Sequence, residues 1–357
     1  YDEAIEFCND QLLLHENGSF ASYLKKKGIR FRIMPLHSYV GRQTNTLAIL
    51  AVMITTFPRL YIYLIRNKIS IIHCQDSRMN LTWMLPAKLA RIPLVWHQRS
   101  KFPNSRLMRI IAKFANQIIC ISQYTFSTLP DTLKSNSLVI GNPVELQDGR
   151  PDKIESKKNL HKVVDIPVTQ DVIGIFGNLT TQKRPSTVIK IASEFAKTKK
   201  YLPAFVFFGA DRDNQQLELE KMAKDYNVDH CIYFMGFVPD PEHWMAGCDV
   251  VIALGVDEAF GRTVAEAMLV GTPVVASDLA GHREIISHGE TGYLVPSDNA
   301  PEFRHTIEII LDDKNIGKKL SDRAAESITR RYSIQAHVEQ VVRIYDNLHS
   351  GKRRTAK

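Results

Sequence analysis

Residues 257–273 read DEAFGRTVAEAMLVGTP, from Asp257 to Pro273. The apolar run before them, 250–254, has the length of a buried parallel strand. After Gly261 the pattern turns helical. Val264, Ala267, Met268 and Val270 mark an apolar face, and Gly271-Thr272-Pro273 ends it. Another apolar run, Val274-Val275-Ala276, follows at once. Strand, loop, helix, strand is one βαβ unit. Glu258 falls in the loop at the carboxyl end of a strand, where open parallel sheets bind their ligands. Glu266 falls about one turn into the helix.

This loop suits a phosphorylated sugar compound. The N–H groups of Gly261, Arg262, Thr263 and Val264 are the unpaired donors of a helix N-terminus, a ready anion site. Gly261 lets the backbone approach closely. A carboxylate before the loop accepts from sugar hydroxyls, and one inside the helix accepts from a ribose. Each such charge-assisted bond contributes about 1.5–3 kcal/mol. Taken alone, two glutamates at this spacing suit an ordinary βα loop with solvated side chains equally well.

The surrounding residues decide between these. Glu258-Ala259-Phe260-Gly261 through Glu266-Ala267-Met268, then Gly271-Thr272-Pro273-Val274-Val275-Ala276, resembles the E-x7-E signature of retaining GT-B glycosyltransferases. Within these it resembles family 4, which uses nucleotide-diphosphate sugars. Gly281, Glu284-Ile285-Ile286 and Gly289-Glu290-Thr291-Gly292-Tyr293-Leu294-Val295 continue the resemblance. It implies an α/β GT-B fold: two Rossmann-like domains facing across a cleft.

The chain has 357 residues, enough for two domains of ordinary size, and its 44% hydrophobic and 24% charged residues are a normal globular composition. Cys8, Cys74, Cys120, Cys231 and Cys248 form no C-x-x-C pair, which argues against a zinc site and fits a reducing compartment. The net charge of +8, with basic clusters at 25–27 and 352–357, suits an anionic surface. No nucleic-acid motif is present, and for a glycosyltransferase, which the resemblance implies, an anionic membrane surface is the expected partner of that charge. No signal peptide opens the chain, and the first residue is not methionine. Residues 47–65 imitate a membrane span, but Pro58 and Arg59 interrupt them. They are expected as a helix of the domain core or as two short helices breaking at the proline, with membrane contact the lesser reading.

In chain order, strands are expected at 11–15, 29–35, 69–74, 93–97, 117–122 and 138–140. Helices are expected at 20–27 behind a Ser19 cap, 81–91 and 107–115. This alternation implies a parallel sheet wrapped by helices. Ile71-Ile72-His73-Cys74-Gln75-Asp76, Ala87-Lys88-Leu89-Ala90, Pro93-Leu94-Val95-Trp96-His97, Ile121-Ser122 and Asn142-Pro143-Val144 resemble the family's N-terminal, acceptor-side domain. Family members usually begin with a strand, a glycine-rich loop and a helix before the region matching Gln11, and that unit is not found here. The expected organisation is an acceptor-side domain at 1–146, a linker at 147–167 and a nucleotide-sugar domain at 168–333. A last helix at 334–350 would cross back, followed by a disordered basic tail at 351–357.

His97 sits at the expected carboxyl end of its strand. By position it suits a hydrogen-bonded structural histidine; the resemblance places it near the donor sugar, with Arg99 close enough to meet phosphate. His73 and the other histidines are read as structural. After the strand at 172–176, Gly177-Asn178-Leu179-Thr180-Thr181-Gln182-Lys183-Arg184-Pro185 resembles the family loop G-R-L-x-x-x-K-G, whose cations hold the donor diphosphate. Lys183 stands in the lysine position. Asn178 stands in the arginine position and brings no charge, so Arg184 or Arg99 is expected to supply the second cation. Strands follow at 204–208 and 232–234, and helices at 217–226, 301–311, 318–331 and 334–348. Phe237 lies in a loop that the resemblance sets beside the nucleotide base.

The resemblance implies a retaining hexosyltransferase that moves sugar from a UDP-, GDP- or ADP-sugar to a glycan or lipid-linked acceptor. Bacterial surface polysaccharide or lipopolysaccharide synthesis is the default setting. The place would be cytoplasmic, with peripheral attachment to the inner face of the membrane. Glu258, Lys183 and His97 are the expected catalytic residues. No cofactor and no metal are expected, and Asp211-Arg212-Asp213 is read as solvated. A non-catalytic GT-B remnant is the competing class. A NAD-dependent dehydrogenase is weaker, since no G-x-G-x-x-G follows any strand.

Overall fold

The computed structural model describes residues 12–36, 46–146, 149–198 and 202–355. The chain divides into two compact units. One comprises residues 1–121, 125–140 and 334–357, and the other comprises 122–124 and 141–333.

The first unit holds a four-stranded parallel sheet in the order β3 (Ile72–Cys74), β4 (Leu94–Gln98), β5 (Gln117–Cys120) and β6 (Ser137–Val139). Two shorter strands, β1 (Leu13–Leu14) and β2 (Arg32–Ile33), pair parallel with each other. β4 is buried along its whole length, its polar His97 and Gln98 included, as a central parallel strand is. Helices Thr46–Arg66 and Ser77–Leu89 cover one face through Met53, Leu60, Leu64, Leu81 and Met84. Val95, Ile119 and Ile140 on the other face pack against Val341 and Ile344 of the final helix, Ile334–Thr355.

The second unit is a six-stranded, all-parallel sheet. Its order is β12 (Tyr293–Val295), β11 (Val274–Ser277), β10 (Val250–Ala253), β7 (Val172–Phe176), β8 (Ala204–Phe208) and β9 (Ile232–Phe234). The winding reverses between β7 and β10, which pair through Val250–Ile173, Val251–Gly174 and Ile252–Ile175. Such a switch point opens a crevice at the carboxyl ends of its two strands. The βαβ unit read from residues 250–276 is β10, the helix Arg262–Val270 and β11, closed by Gly271 in a left-handed C-cap.

Several expectations are corrected. Residues 147–167 are not a linker throughout. Lys153–Val164 is a helix, capped by Asp152, whose carboxylate accepts from the N–H of Ile154 and Glu155 at 2.8 and 2.9 Å. Its inner residues Leu160 and Val164 are buried. Residues 46–66 form one helix despite Pro58, because buried Met53 on one side of the proline and Leu60 and Leu64 on the other anchor both halves to one core. Among the described residues no helix is long and apolar enough to cross a membrane. The first-unit helix begins at Ser19, with Gly18 rather than Ser19 in the cap position. The helix expected from 81 starts at Ser77, where Asp76 accepts from the Met79 N–H at 2.8 Å. The last helix continues to Thr355, into the stretch expected to be disordered, and Ala356 and Lys357 lie outside the described residues, as do Gln11 and Cys8. Cys74, Cys120, Cys231 and Cys248 are free and buried.

Candidate active site

In the second unit, a pocket lies at the switch point, where open parallel sheets bind their ligands. Gly177, Asn178 and Lys183 come to it from the loop after β7. Gly255 and Glu258 come from the loop after β10, Gly261 and Thr263 from the start of the next helix, and His282 from beyond β11. The two loops are tied by the Val256 N–H, which donates to the Gln182 carbonyl at 3.1 Å. Lys183 Nζ donates to Glu258 Oε1, so the pocket wall carries an adjacent cation and anion.

Gly261 caps the Arg262–Val270 helix with φ +89°, a conformation glycine adopts without strain. The first amides of that helix have no partner within it, which makes its start electropositive. Glu266, one turn in, accepts from Arg262 Nε at 2.6 Å. Burial pushes its carboxyl above the usual range, and the Arg262 guanidinium partly offsets this. Gly281 sits against the Glu258 loop: its N–H donates to the Glu258 carbonyl at 2.9 Å, and a Cβ there would lie 2.6 Å from Phe260 backbone atoms.

His282 is the residue that sequence reasoning missed. Its side chain is buried, with Nδ1 at 3.0 Å from Ser277 Oγ and 3.1 Å from the Ser277 carbonyl. Ser277 Oγ donates its one proton to the Gly255 carbonyl at 2.9 Å, so Nδ1 carries the imidazole proton and Nε2 is an acceptor. Burial holds this histidine below its ordinary pKa. The Cδ2 edge faces Gly261, 3.1 Å from where a Cβ would stand there. A lone histidine in no motif gave no signal; its position after β11, the strand beside the switch point, could have.

Other expected residues lie apart from the pocket lining. Arg184 pairs with Asp298, Arg262 with Glu266, and Phe237 is 77% exposed. Phe260 is buried edge-on against Tyr332, with ring centres 5.1 Å apart, and Val264 is buried. Arg184, expected with Arg99 as its alternative to supply the second cation, donates to Asp298 and is not among the residues lining the pocket. Asn178 holds a loop instead of a charge: its Oδ1 accepts from the Ala210 N–H at 3.2 Å. Asp211 and Asp213 are bound, not merely solvated. Asp211 accepts from the Gln215 and Gln216 N–H groups at 2.9 and 3.1 Å, and Asp213 from the Thr181 N–H at 3.1 Å. Among the described residues no cluster of three His, Cys, Asp or Glu could hold a metal ion.

In the first unit, His97 is the penultimate residue of β4 and is buried, with Nδ1 at 3.1 Å from His73 Nε2. His73 Nδ1 is 2.6 Å from the Tyr345 hydroxyl on the final helix. The imidazoles of His73 and His97 stack at 5.2 Å. Burial lowers both pKa values, that of His73 to about 3, so both rings are neutral at pH 7. Among the described residues, buried His97 Nε2 has no hydrogen-bond partner. Arg99 donates to Gln75 and borders a second opening with Asp76, Ser77, Arg78 and Ser100.

Two family models match the chain, "Glycosyl transferases group 1" over residues 156–327 and "Glycosyltransferase Family 4" over 20–148. The chain belongs to the family-4-like GT-B glycosyltransferases. Among curated relatives of this glycosyltransferase chain is the D-inositol 3-phosphate glycosyltransferase of Corynebacterium urealyticum, 24% identical over 61% of this chain and 53% of its own. Another is the lipopolysaccharide core biosynthesis glycosyltransferase LpsE of Rhizobium meliloti, 27% identical over 48% of this chain and 49% of its own. The chain thus spans about half the length of the curated relatives it matches. Among solved structures, Anabaena Alr3699/HepE in complex with UDP and glucose superposes with a TM-score of 0.79 over 94% of this chain and 91% of that one, at 19% identity. That likeness establishes the fold.

Proposed function

We propose that this chain is a retaining glycosyltransferase that takes a sugar from a nucleotide-diphosphate donor, without a metal, and passes it to a glycan or lipid-linked acceptor in bacterial surface-polysaccharide synthesis. The observation that carries the reading is the second-unit pocket, where Lys183, Glu258, His282 and a helix N-terminus meet at a sheet switch point. Lys183 and the amides of residues 262–264 stabilise the departing diphosphate as its charge develops. Glu258 orients the sugar through its hydroxyls, and Glu266 accepts from the ribose. His282 offers Nε2 as an acceptor at the same wall. The acceptor oxygen bonds to the anomeric carbon on the face that the diphosphate leaves, and its proton passes to the leaving phosphate oxygen. In the first unit, His97 and Arg99 are the candidates to meet a sugar and a phosphate. UDP is the favoured nucleotide, since the Anabaena structure holds UDP and glucose.

One observation favours a binding-only remnant: Asn178, in the cation position, is engaged with Ala210. A thermal-shift panel of UDP-, GDP- and ADP-sugars tests the main reading. A donor at 100 times its dissociation constant adds about 2.7 kcal/mol of stability. No stabilisation by any of the three refutes donor binding; stabilisation without hydrolysis or transfer leaves the remnant.

A further inference from the structure

We infer that the outward face of the Thr46–Arg66 helix is a docking surface for an anionic lipid bilayer. The inference does not depend on the glycosyltransferase reading. This helix is apolar on two sides, and among the described residues one enters the core while the other is largely exposed. Met53, Leu60 and Leu64 enter the core. On the far side Leu47, Ala51, Ile54, Pro58, Ile62 and Ile65 recur at spacings of three and four, forming one stripe about 27 Å long. Leu47 is 72% exposed, Ile54 67%, Ile62 47% and Ile65 52%. A contiguous apolar stripe of this length marks an interaction surface.

Charge selects the occupant. Residues 17–75 contain nine Lys and Arg and no Asp or Glu; against the total of +8, the rest of the chain has a net charge of −1. The whole positive excess therefore belongs to the segment that carries the stripe. Arg59 and Arg66 fall on one flank of it. Arg59 donates to the Pro35 carbonyl at 3.0 Å, and Arg32 donates to Asn67 at 3.2 Å, so residues 32–35 run beside the helix with Ile33 exposed. A second copy would set this basic segment against itself and repel. An anionic bilayer meets both features: the stripe enters the acyl boundary while the guanidinium groups stay among the headgroups.

The test is co-sedimentation of the full chain with phosphatidylcholine vesicles, with and without phosphatidylglycerol, at low and high salt. Binding is expected to the anionic vesicles, to weaken with salt, and to be slight on neutral ones. Ile54→Glu with Ile62→Glu should lower partitioning roughly ten-fold or more, each change removing buried apolar area and adding a repelled charge. Arg66→Gln should lower it about five-fold, and Leu217→Glu, exposed in the second unit, should leave it unchanged. Circular dichroism checks folding; if the double variant is unfolded, Leu47→Glu replaces it. No binding at low salt overturns the proposal, as does equal binding to neutral vesicles or full binding by the folded double variant. Self-association that the same changes abolish, without vesicle binding, assigns the face to a second copy instead.

Discussion

The pairing of Lys183 with Glu258 changes what single substitutions should do. A lysine held by a carboxylate is not free to meet phosphate, so nucleoside diphosphate must compete with Glu258 for it. Glu258→Gln removes the competitor and keeps the size. Bare diphosphate should then bind more tightly, by roughly 1 kcal/mol for a partly exposed pair, while the intact sugar donor binds more weakly or is not transferred. Lys183→Ala should weaken both ligands, with a small cost in stability because Glu258 loses its partner. Isothermal calorimetry on both ligands checks this; unchanged diphosphate affinity in both variants would falsify the shared site. Glu266 adds a pH dependence. Burial raises its pKa, and only the ionised form accepts two ribose hydrogen bonds. Nucleotide affinity should therefore fall as the solution is acidified towards that raised pKa, beginning at a higher pH than for an ordinary glutamate. Glu266→Gln should weaken diphosphate and donor about equally and remove this pH dependence.

The donor wall is a contact between two loops and a short helix, His282–Ile285, and Gly281 is where they touch. Gly281→Ala would set a Cβ 2.6 Å from Phe260 backbone atoms and 2.8 Å from the Glu258 carbonyl. The Glu258 loop must move to admit it. Thermal melts should show a loss of about 1–3 kcal/mol, and donor affinity should drop further than any change at exposed Phe237 lowers it. Wild-type donor affinity in this variant would mean that the loop's position is unimportant. At this scale most of the second sheet was legible, because parallel strands are unbroken apolar runs. Val172–Phe176 and Ala204–Phe208 have the bounds expected from sequence. The helix Lys153–Val164 was not, since KIESKKNLHKVV is largely polar and only a few of its residues face inward. Lys183, Glu258, Gly177, Asn178, Gly261 and Thr263 were read from sequence and line one pocket. His282 and the His73–His97 pair were not, because their neighbours come from separate strands and helices that local patterns do not connect.

Across the whole molecule, histidines held below their ordinary pKa make the fold acid-labile, His73, His97 and His282 among them. The pKa values of His73, His97 and His282 are all lowered, so the unfolded chain binds more protons than the folded one below about pH 6.5. The stability they contribute is full above that pH and is lost as pH falls towards their folded values. Two pH units down, His73, with its pKa near 3, costs about 2.7 kcal/mol. Urea titrations from pH 7 to 4.5 should show this loss, and His73→Gln with His97→Gln should flatten it; an equally steep fall in that variant would place the lability elsewhere. The division of the chain has a further consequence, for the order in which a ribosome delivers its parts. The second unit is complete once Ser333 has emerged, but the first still awaits residues 334–357. Until then Val95, Ile119 and Ile140 lack Val341 and Ile344. Although synthesis runs from the N-terminus, the half made first is the half finished last, and its uncovered sheet face is what a nascent-chain chaperone would meet.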